Sequence, residues 1–216
     1  MATLMNSKAS KQGLSLADRF VKRAFDITFA LIGLLLTWPI ILVAWIIASI
    51  DTRMGGFFMQ RRVGKDGKVF RVVKIRSMRH IPGYTTTSTT SHDPRITKSG
   101  RFFRKAKIDE LPQLWNVLWG QMSFVGPRPD VPGYADKLDG DDRIVLSIRP
   151  GITGPATLFY RNEEEILAEQ EDPETYNDTV IWPNKVRMNR EYIENYRFSD
   201  DIKYILETVF KRSSRD

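Results

Sequence analysis

The chain has 216 residues, with 33 Lys+Arg against 26 Asp+Glu, a net charge of +7, no cysteine and two histidines. That excludes disulfides, thiol nucleophiles and cysteine-based metal sites, and makes a histidine triad or a histidine-rich metal centre a poor reading, so any chemistry must come from carboxylates, lysines, arginines or hydroxyls. Residues 1–108 carry 20 basic and 5 acidic side chains, whereas residues 109–216 carry 13 and 21; a basic front half suits anionic lipid headgroups or a phosphorylated substrate, and no nucleic-acid motif accompanies it.

Ser15 with Asp18 has the pattern of an N-terminal capping box, and a helix from Leu16 runs directly into Ile27–Ile50, 24 residues without a charge. About 20 apolar residues suffice to cross a bilayer core at ~1.5 Å rise each. Pro39, in the middle of the run, removes one helical hydrogen bond and kinks or breaks the helix. Lys8, Lys11, Arg19, Lys22 and Arg23 precede the run; Arg53, Arg61, Arg62 and Lys65 follow it. Positive charge favours the cytoplasmic side, and here both flanks ask for that side. The expectation is a re-entrant helix, broken at Pro39, that enters and leaves by one face. A straight span, a buried core helix and a cleaved signal are the weaker alternatives. Thr37 is placed to bond back to a preceding turn. The chain then divides into 1–50, the N-terminal segment with the membrane helix, and 51–216, a cytosolic domain.

Phe57–Val63 and Lys68–Met78 read as two strands joined through Gly64-Lys65-Asp66-Gly67. A period of two places Phe70, Val72, Lys74 and Arg76 on one face, two cations beyond an apolar base. Tyr84–Ser91, rich in Thr and Ser without apolar periodicity, reads as a surface loop, with a substrate lid as the alternative. Ile96–Lys107 is short and basic, and could lie on headgroups with Phe102 and Phe103 dipped in. Leu111, Leu114, Trp115, Leu118 and Met122 fall at helical spacing, so a helix is expected from near Asp109, with Pro112 in its first turn. Gly126-Pro127-Arg128-Pro129 and Arg149-Pro150-Gly151 are rigid turns. Asn162 with Glu165 has capping-box spacing, and Asp172-Pro173 and Ser199-Asp200 mark further helix starts. Ile202, Ile205, Leu206, Val209 and Phe210 form the apolar stripe of a last helix.

Asp109-Glu110 is the most suggestive chemical group. An ionised carboxylate at a helix start can act as nucleophile or bind Mg²⁺, although an acidic pair there is more often only a cap. Basic residues on both sides suit phosphoryl transfer. A glycosidase is disfavoured, since its carboxylates must flank a sugar ~5 Å or more apart.

In order, the fragments Lys22-Arg23-Ala24-Phe25-Asp26, Gln60-Arg61-Arg62-Val63-Gly64, Lys74-Ile75-Arg76-Ser77-Met78 and Asp93-Pro94-Arg95-Ile96-Thr97 resemble the bacterial sugar transferases, or monotopic phosphoglycosyl transferases. Asp109-Glu110-Leu111-Pro112-Gln113, Met122 to Pro129 and Arg149 to Gly154 continue the resemblance. It implies a helix-rich α/β fold with a β-hairpin and amphipathic interfacial helices packed as one compact cytosolic domain beside the re-entrant helix. It also implies transfer of sugar-1-phosphate from a UDP-sugar to undecaprenyl phosphate at the cytoplasmic face of a bacterial inner membrane, giving UMP and a diphosphate-linked sugar with Mg²⁺ as cofactor. By the same resemblance Asp109 is the nucleophile, and Glu110 the base or positioning acid for the acceptor. Both carboxylates are metal ligands. Arg128, Lys74, Arg76 and Arg104 meet substrate phosphates, Arg161 meets the nucleotide, and Pro39 breaks the helix. A homodimer is left open. The other readings are a membrane-anchored adaptor without catalysis, and a nucleotide-sugar hydrolase.

Three places depart from the family pattern. Trp38 precedes the membrane proline where serine is frequent, Gln121 stands where an acid is common, and Pro155-Ala156-Thr157 with the acidic stretch after it is unusual.

Overall fold

The computed structural model describes residues 13–81 and 93–210; the Thr/Ser-rich loop lies outside them. Helix α1 runs from Leu16 to Thr52. The Ser15 hydroxyl accepts from the Asp18 amide while the Asp18 carboxylate accepts from the Ser15 amide, the expected capping box. Pro39 lies within the helix, which continues past it, so the break expected there is not found and Pro39 leaves α1 a single helix. Thr37 Oγ1 donates to the Gly33 carbonyl at 2.6 Å.

One stripe of α1 is buried, through Lys22, Asp26, Ala30, Ile41, Ala44, Ala48 and Thr52. Leu35, Leu36 and Trp38, off that stripe, are 73%, 69% and 57% exposed. Both ends are tied to the rest of the chain. Lys22 Nζ lies 2.5 Å from Asp201 Oδ2. Arg23 donates to the carbonyls of Val117 and Leu118 at 2.6 and 2.8 Å. Asp26 accepts from Ser123 Oγ and the Phe124 amide, both at 3.0 Å. At the far end Asp51 accepts from Ser99 Oγ at 2.5 Å and from Arg79 Nη2 at 2.9 Å.

Strands β1 (Phe57–Val63) and β2 (Val69–Ile75) form an antiparallel hairpin, with Phe57 opposite Ile75 and Val63 opposite Val69. Its turn carries Asp66 and Gly67 at positive φ. Strand β2 stops at Ile75, and Met78 forms an isolated bridge to Ile96. Phe70 and Val72 pack with Ala30, Val117 and Met122. Ile75 packs with Ile41, Ala44, Ala48 and Phe103. Helix α2 (Lys98–Lys105) is capped by Thr97; it buries Phe103 and leaves Phe102 exposed, so only one of its two aromatics faces outward.

Helix α3 (Gln113–Leu118) follows a 3₁₀ turn at Ile108–Glu110, so the α-helix begins after Pro112 and not at Asp109. Asn116, wholly buried, fastens α3 to β2: its Oδ1 accepts from the Val73 amide, and its Nδ2 donates to the Arg71 carbonyl and to Gln121 Oε1. The unusual Gln121, itself half-buried, thus pairs with the buried Asn116 amide.

Strands β3 (Ser123–Val125) and β4 (Gly151–Thr153) form a short parallel pair. The expected α/β, helix-rich character holds, with two small sheets. Helices α4 (Pro155–Phe159), α5 (Glu163–Ala168), α6 (Pro173–Tyr176), α7 (Trp182–Glu194) and α8 (Phe198–Phe210) follow among the described residues, with a π-helical turn at Asn177–Ile181. Asp172 caps α6 through the Thr175 amide. Asn162 makes no side-chain cap for α5; only its carbonyl accepts from that turn. On α8, Tyr204 and Ile205 pack on the core cluster of Leu14, Val125, Ile148, Tyr192 and Ile193, but Leu206, Val209 and Phe210 of the expected stripe stay exposed.

The two glycine-bearing turns interlock as bare backbone. A Cβ on Gly151 would collide with the amide and carbonyl of Gly126 and with the Thr153 carbonyl. None of these can swing away. Gly151→Ala should therefore destabilise the fold by at least ~2 kcal/mol, read as a lowered unfolding temperature in detergent.

Candidate active site

Asp109 and Glu110 sit in the 3₁₀ turn between α2 and α3, entered through Lys107 in the left-handed conformation (φ 58°). Asp109 is buried, and its Oδ1 has no hydrogen-bond partner. Burial and the adjacent Glu110 charge push its carboxyl up, against the pull of Lys74, Lys107 and Arg104. Glu110 has the opposite balance. Burial pushes it up, but Arg128, Lys74 and Lys107 outweigh that and hold it well below the usual carboxylate range. Its Oε1 accepts from Lys74 Nζ at 3.0 Å and from Arg128 Nη2 at 3.2 Å. Two neighbouring carboxylates thus have their affinities for protons driven apart.

Lys74 comes from β2, and burial lowers its ammonium pKa although Glu110 raises it. Arg128 projects from a turn whose flanking Pro127 and Pro129 are buried. Asn116 fixes α3, and with it the acidic turn, to the strand that carries Lys74. Arg104 is half-buried on α2, and its charge bears on both Asp109 and Asp93. Arg161 lies exposed on the turn that leads to Glu163, whose charge bears on Arg128.

Arg76 is placed elsewhere. It lies beyond the end of β2, and its guanidinium donates to the carbonyls of Gly55 and Phe57 at 2.7 and 3.0 Å. Strand periodicity set it beside Lys74, but the strand ends between them.

Two site neighbours have no site role in the sequence reading, where Arg62 enters only as a flanking charge and as part of a family fragment. Arg62 shares the hairpin face of Lys74, because Phe58 opposite Lys74 and Arg62 opposite Phe70 alternate in register. Asp130 lies among Lys185, Arg62 and Arg128; burial is the largest effect on its carboxyl, which is pushed up to about 6. The hairpin register is the signal that would have found Arg62; Asp130 has none beyond adjoining the Pro-Arg-Pro turn.

Among the described residues no group of three or more His, Cys, Asp or Glu side chains could hold a metal ion. The unpartnered Asp109 Oδ1 beside a second carboxylate fits a different arrangement. Mg²⁺ is commonly held by one or two carboxylates and completed by substrate phosphates and water.

The linkage for Asp109 has a definite sign. With its folded pKa raised, stability falls as pH rises between the unfolded and folded values, and above both the ionised carboxylate is a net cost. Glu110 is the reverse: its contribution is present above the usual carboxylate range and lost as pH falls through its depressed folded value. Asp109→Asn should therefore stabilise the protein at pH 7, by about 1 kcal/mol, and the gain should vanish as pH drops below the usual carboxylate range. Thermal unfolding of both forms across pH checks this.

Comparison with known proteins supplies the context. The family model of the bacterial sugar transferases matches residues 17–215. The chain is 36% identical over 204 residues to the UDP-glucose:undecaprenyl-phosphate glucose-1-phosphate transferase of Escherichia coli K12, covering 92% of this chain and 41% of that protein. It is 33% identical over 211 residues to the undecaprenyl-phosphate galactose phosphotransferase of Salmonella typhimurium LT2, covering 89% and 40%. The exopolysaccharide production protein ExoY of Sinorhizobium fredii is 28% identical over 204 residues, covering 87% and 83%. The chain thus spans about two fifths of the first two relatives and most of the third.

Proposed function

The chain belongs to the bacterial sugar transferase family, and on that premise we propose that it transfers sugar-1-phosphate from a UDP-sugar to undecaprenyl phosphate through a covalent intermediate on Asp109. The observation that carries the reading is the Asp109–Glu110 turn: one carboxylate with an unpartnered buried oxygen, next to another that holds two cations on a single oxygen.

In the first half-reaction an Asp109 oxygen attacks the sugar-bearing phosphorus. The bond to the bridging oxygen breaks and UMP leaves with that electron pair. In the second, an oxygen of undecaprenyl phosphate attacks the same phosphorus, and the Asp109 carboxylate departs. A soluble donor and a lipid acceptor can then use one site in turn. Burial keeps the Asp109 carboxylate poorly solvated and so more nucleophilic. Lys74 and Arg128, aligned by Glu110, meet the charge on the phosphoryl oxygens. Glu110, held strongly ionised, is a weak base, which favours an aligning or ligand role over proton abstraction. Asp109 and Glu110 would hold Mg²⁺, which when bound offsets the negative charge of the diphosphate. Arg104 adds positive potential at the pair, and Arg161 is assigned to the nucleotide. Relatives named for glucose and for galactose differ in the sugar, so the assignment is to the donor class.

Membrane association follows from the long apolar α1, whose exposed side is aliphatic and aromatic. The re-entrant reading is supported by the two sets of anchors. Lys22, Arg23 and Asp26 hold one end of α1 to the domain, and Asp51 holds the other. A segment tied to one body at both ends is hard to reconcile with a straight crossing. The domain then sits at the cytoplasmic face of the inner membrane, in keeping with the basic flanks.

Incubation with Mg²⁺ and a panel of UDP-sugars, without acceptor, should add the mass of one phosphosugar to the intact protein. Asp109→Asn should show neither the adduct nor UMP release. UMP release undiminished in that variant would sink the nucleophile assignment, and free sugar phosphate without acceptor would point to a hydrolase. For topology, the cysteine-free chain permits single cysteines at Arg19 and Lys65. Impermeant thiol reagents should label both from the cytoplasmic side and neither from the other.

A further inference from the structure

Gln60-Arg61-Arg62-Val63-Gly64 takes no part in the chemistry above, yet it adjoins the site. Arg62 Nη2 donates to Gln60 Oε1 at 2.6 Å, and Nη1 donates to the Pro129 carbonyl at 3.1 Å. The next residue, Val63, donates its amide to the Asp130 carbonyl at 2.8 Å. Those are the first two carbonyls after Arg128. On the near side, the Gly151 amide donates to the Pro127 carbonyl at 2.8 Å. The Pro127–Asp130 turn is thus held at the Pro127 carbonyl on one side of Arg128 and at the Pro129 and Asp130 carbonyls on the other, and the Arg128 side chain extends to Glu110.

We propose that Arg62 is a positioning residue: by fixing the Pro129 carbonyl it sets the direction of the Arg128 guanidinium at the donor phosphates, an inference that rests on the phosphate role given to Arg128 above. The chemistry calls for arginine. Two divergent N–H groups of one planar guanidinium reach two fixed acceptors, Gln60 on the same strand and Pro129 on the turn. Lysine keeps the charge, but it is a point donor that cannot reproduce this fork. A purely electrostatic role for Arg62 would survive that exchange.

The test is a double-mutant cycle on UDP affinity, measured calorimetrically with Mg²⁺ on the full chain in detergent. The forms are the parent, Arg62→Lys, Arg128→Gln and the double variant. Arg128→Gln should weaken UDP by roughly tenfold, as expected for a lost charge-assisted hydrogen bond. Arg62→Lys should cost several-fold when Arg128 is present and less than twofold in the Arg128→Gln background, since it acts through that side chain. An equal cost in both backgrounds, or no cost in either, overturns the proposal. Unchanged affinity in Arg128→Gln alone would instead remove the phosphate role of Arg128. If thermal unfolding shows that Arg62→Lys does not fold, Gln60→Leu, which frees Nη2 and keeps the arginine, takes its place in the cycle with the same criteria.

Discussion

A single carboxylate oxygen organises the site. Glu110 Oε1 accepts from Lys74 on one strand and from Arg128 on a distant turn, so two cations that would repel each other stand together. Lys74 is half-buried and Arg128 more exposed, and like charges this close are tolerable only around an opposite charge with good hydrogen-bond geometry. Much of the surrounding fold serves that condition. Asn116 fastens the acidic turn's helix to the lysine-bearing strand, and β1 and β4 hold the arginine-bearing turn from either side.

Asp109 shows what this arrangement costs. It is buried beside another carboxylate with one oxygen left without a partner, a combination that a chain selected for stability alone would avoid. Local inconsistencies of this sort concentrate where function demands them. The cations on Glu110 leave that residue firmly ionised, while Asp109 is less well compensated. The pair is asymmetric by environment, not by residue type.

Local signals in the sequence were legible where the cause is local. The Ser15–Asp18 box, the hairpin with its Gly-containing turn and the Asp172 cap each depend on residues close in sequence, and each is present. What failed depends on where the chain goes next. Arg76 obeys the strand period, but the strand stops one residue earlier, so the cation serves the Gly55–Phe57 backbone. Asn162 has cap spacing but not the side-chain bond. The stripe on α8 is real in sequence and only partly covered. Lys74 was placed by period, whereas Arg62 needed the strand register, and Asp130 needed tertiary neighbours that no local pattern encodes. The Lys22–Asp26 fragment was recognisable as a signature, but only the fold shows its three side chains gripping α8, α3 and β3 separately.

The double anchoring of α1 bears on how the protein tolerates different bilayers. A spanning helix must match the full hydrocarbon thickness, and tilts, kinks or deforms the lipid when it does not. A helix clamped to its domain near residue 22 and again at residue 51 has its reach set by its own protein. If it dips into one leaflet, the far leaflet is irrelevant to its fit. The stand-off between the Asp109–Glu110 turn and the lipid headgroups then becomes a built-in length, the same in a thin membrane as in a thick one.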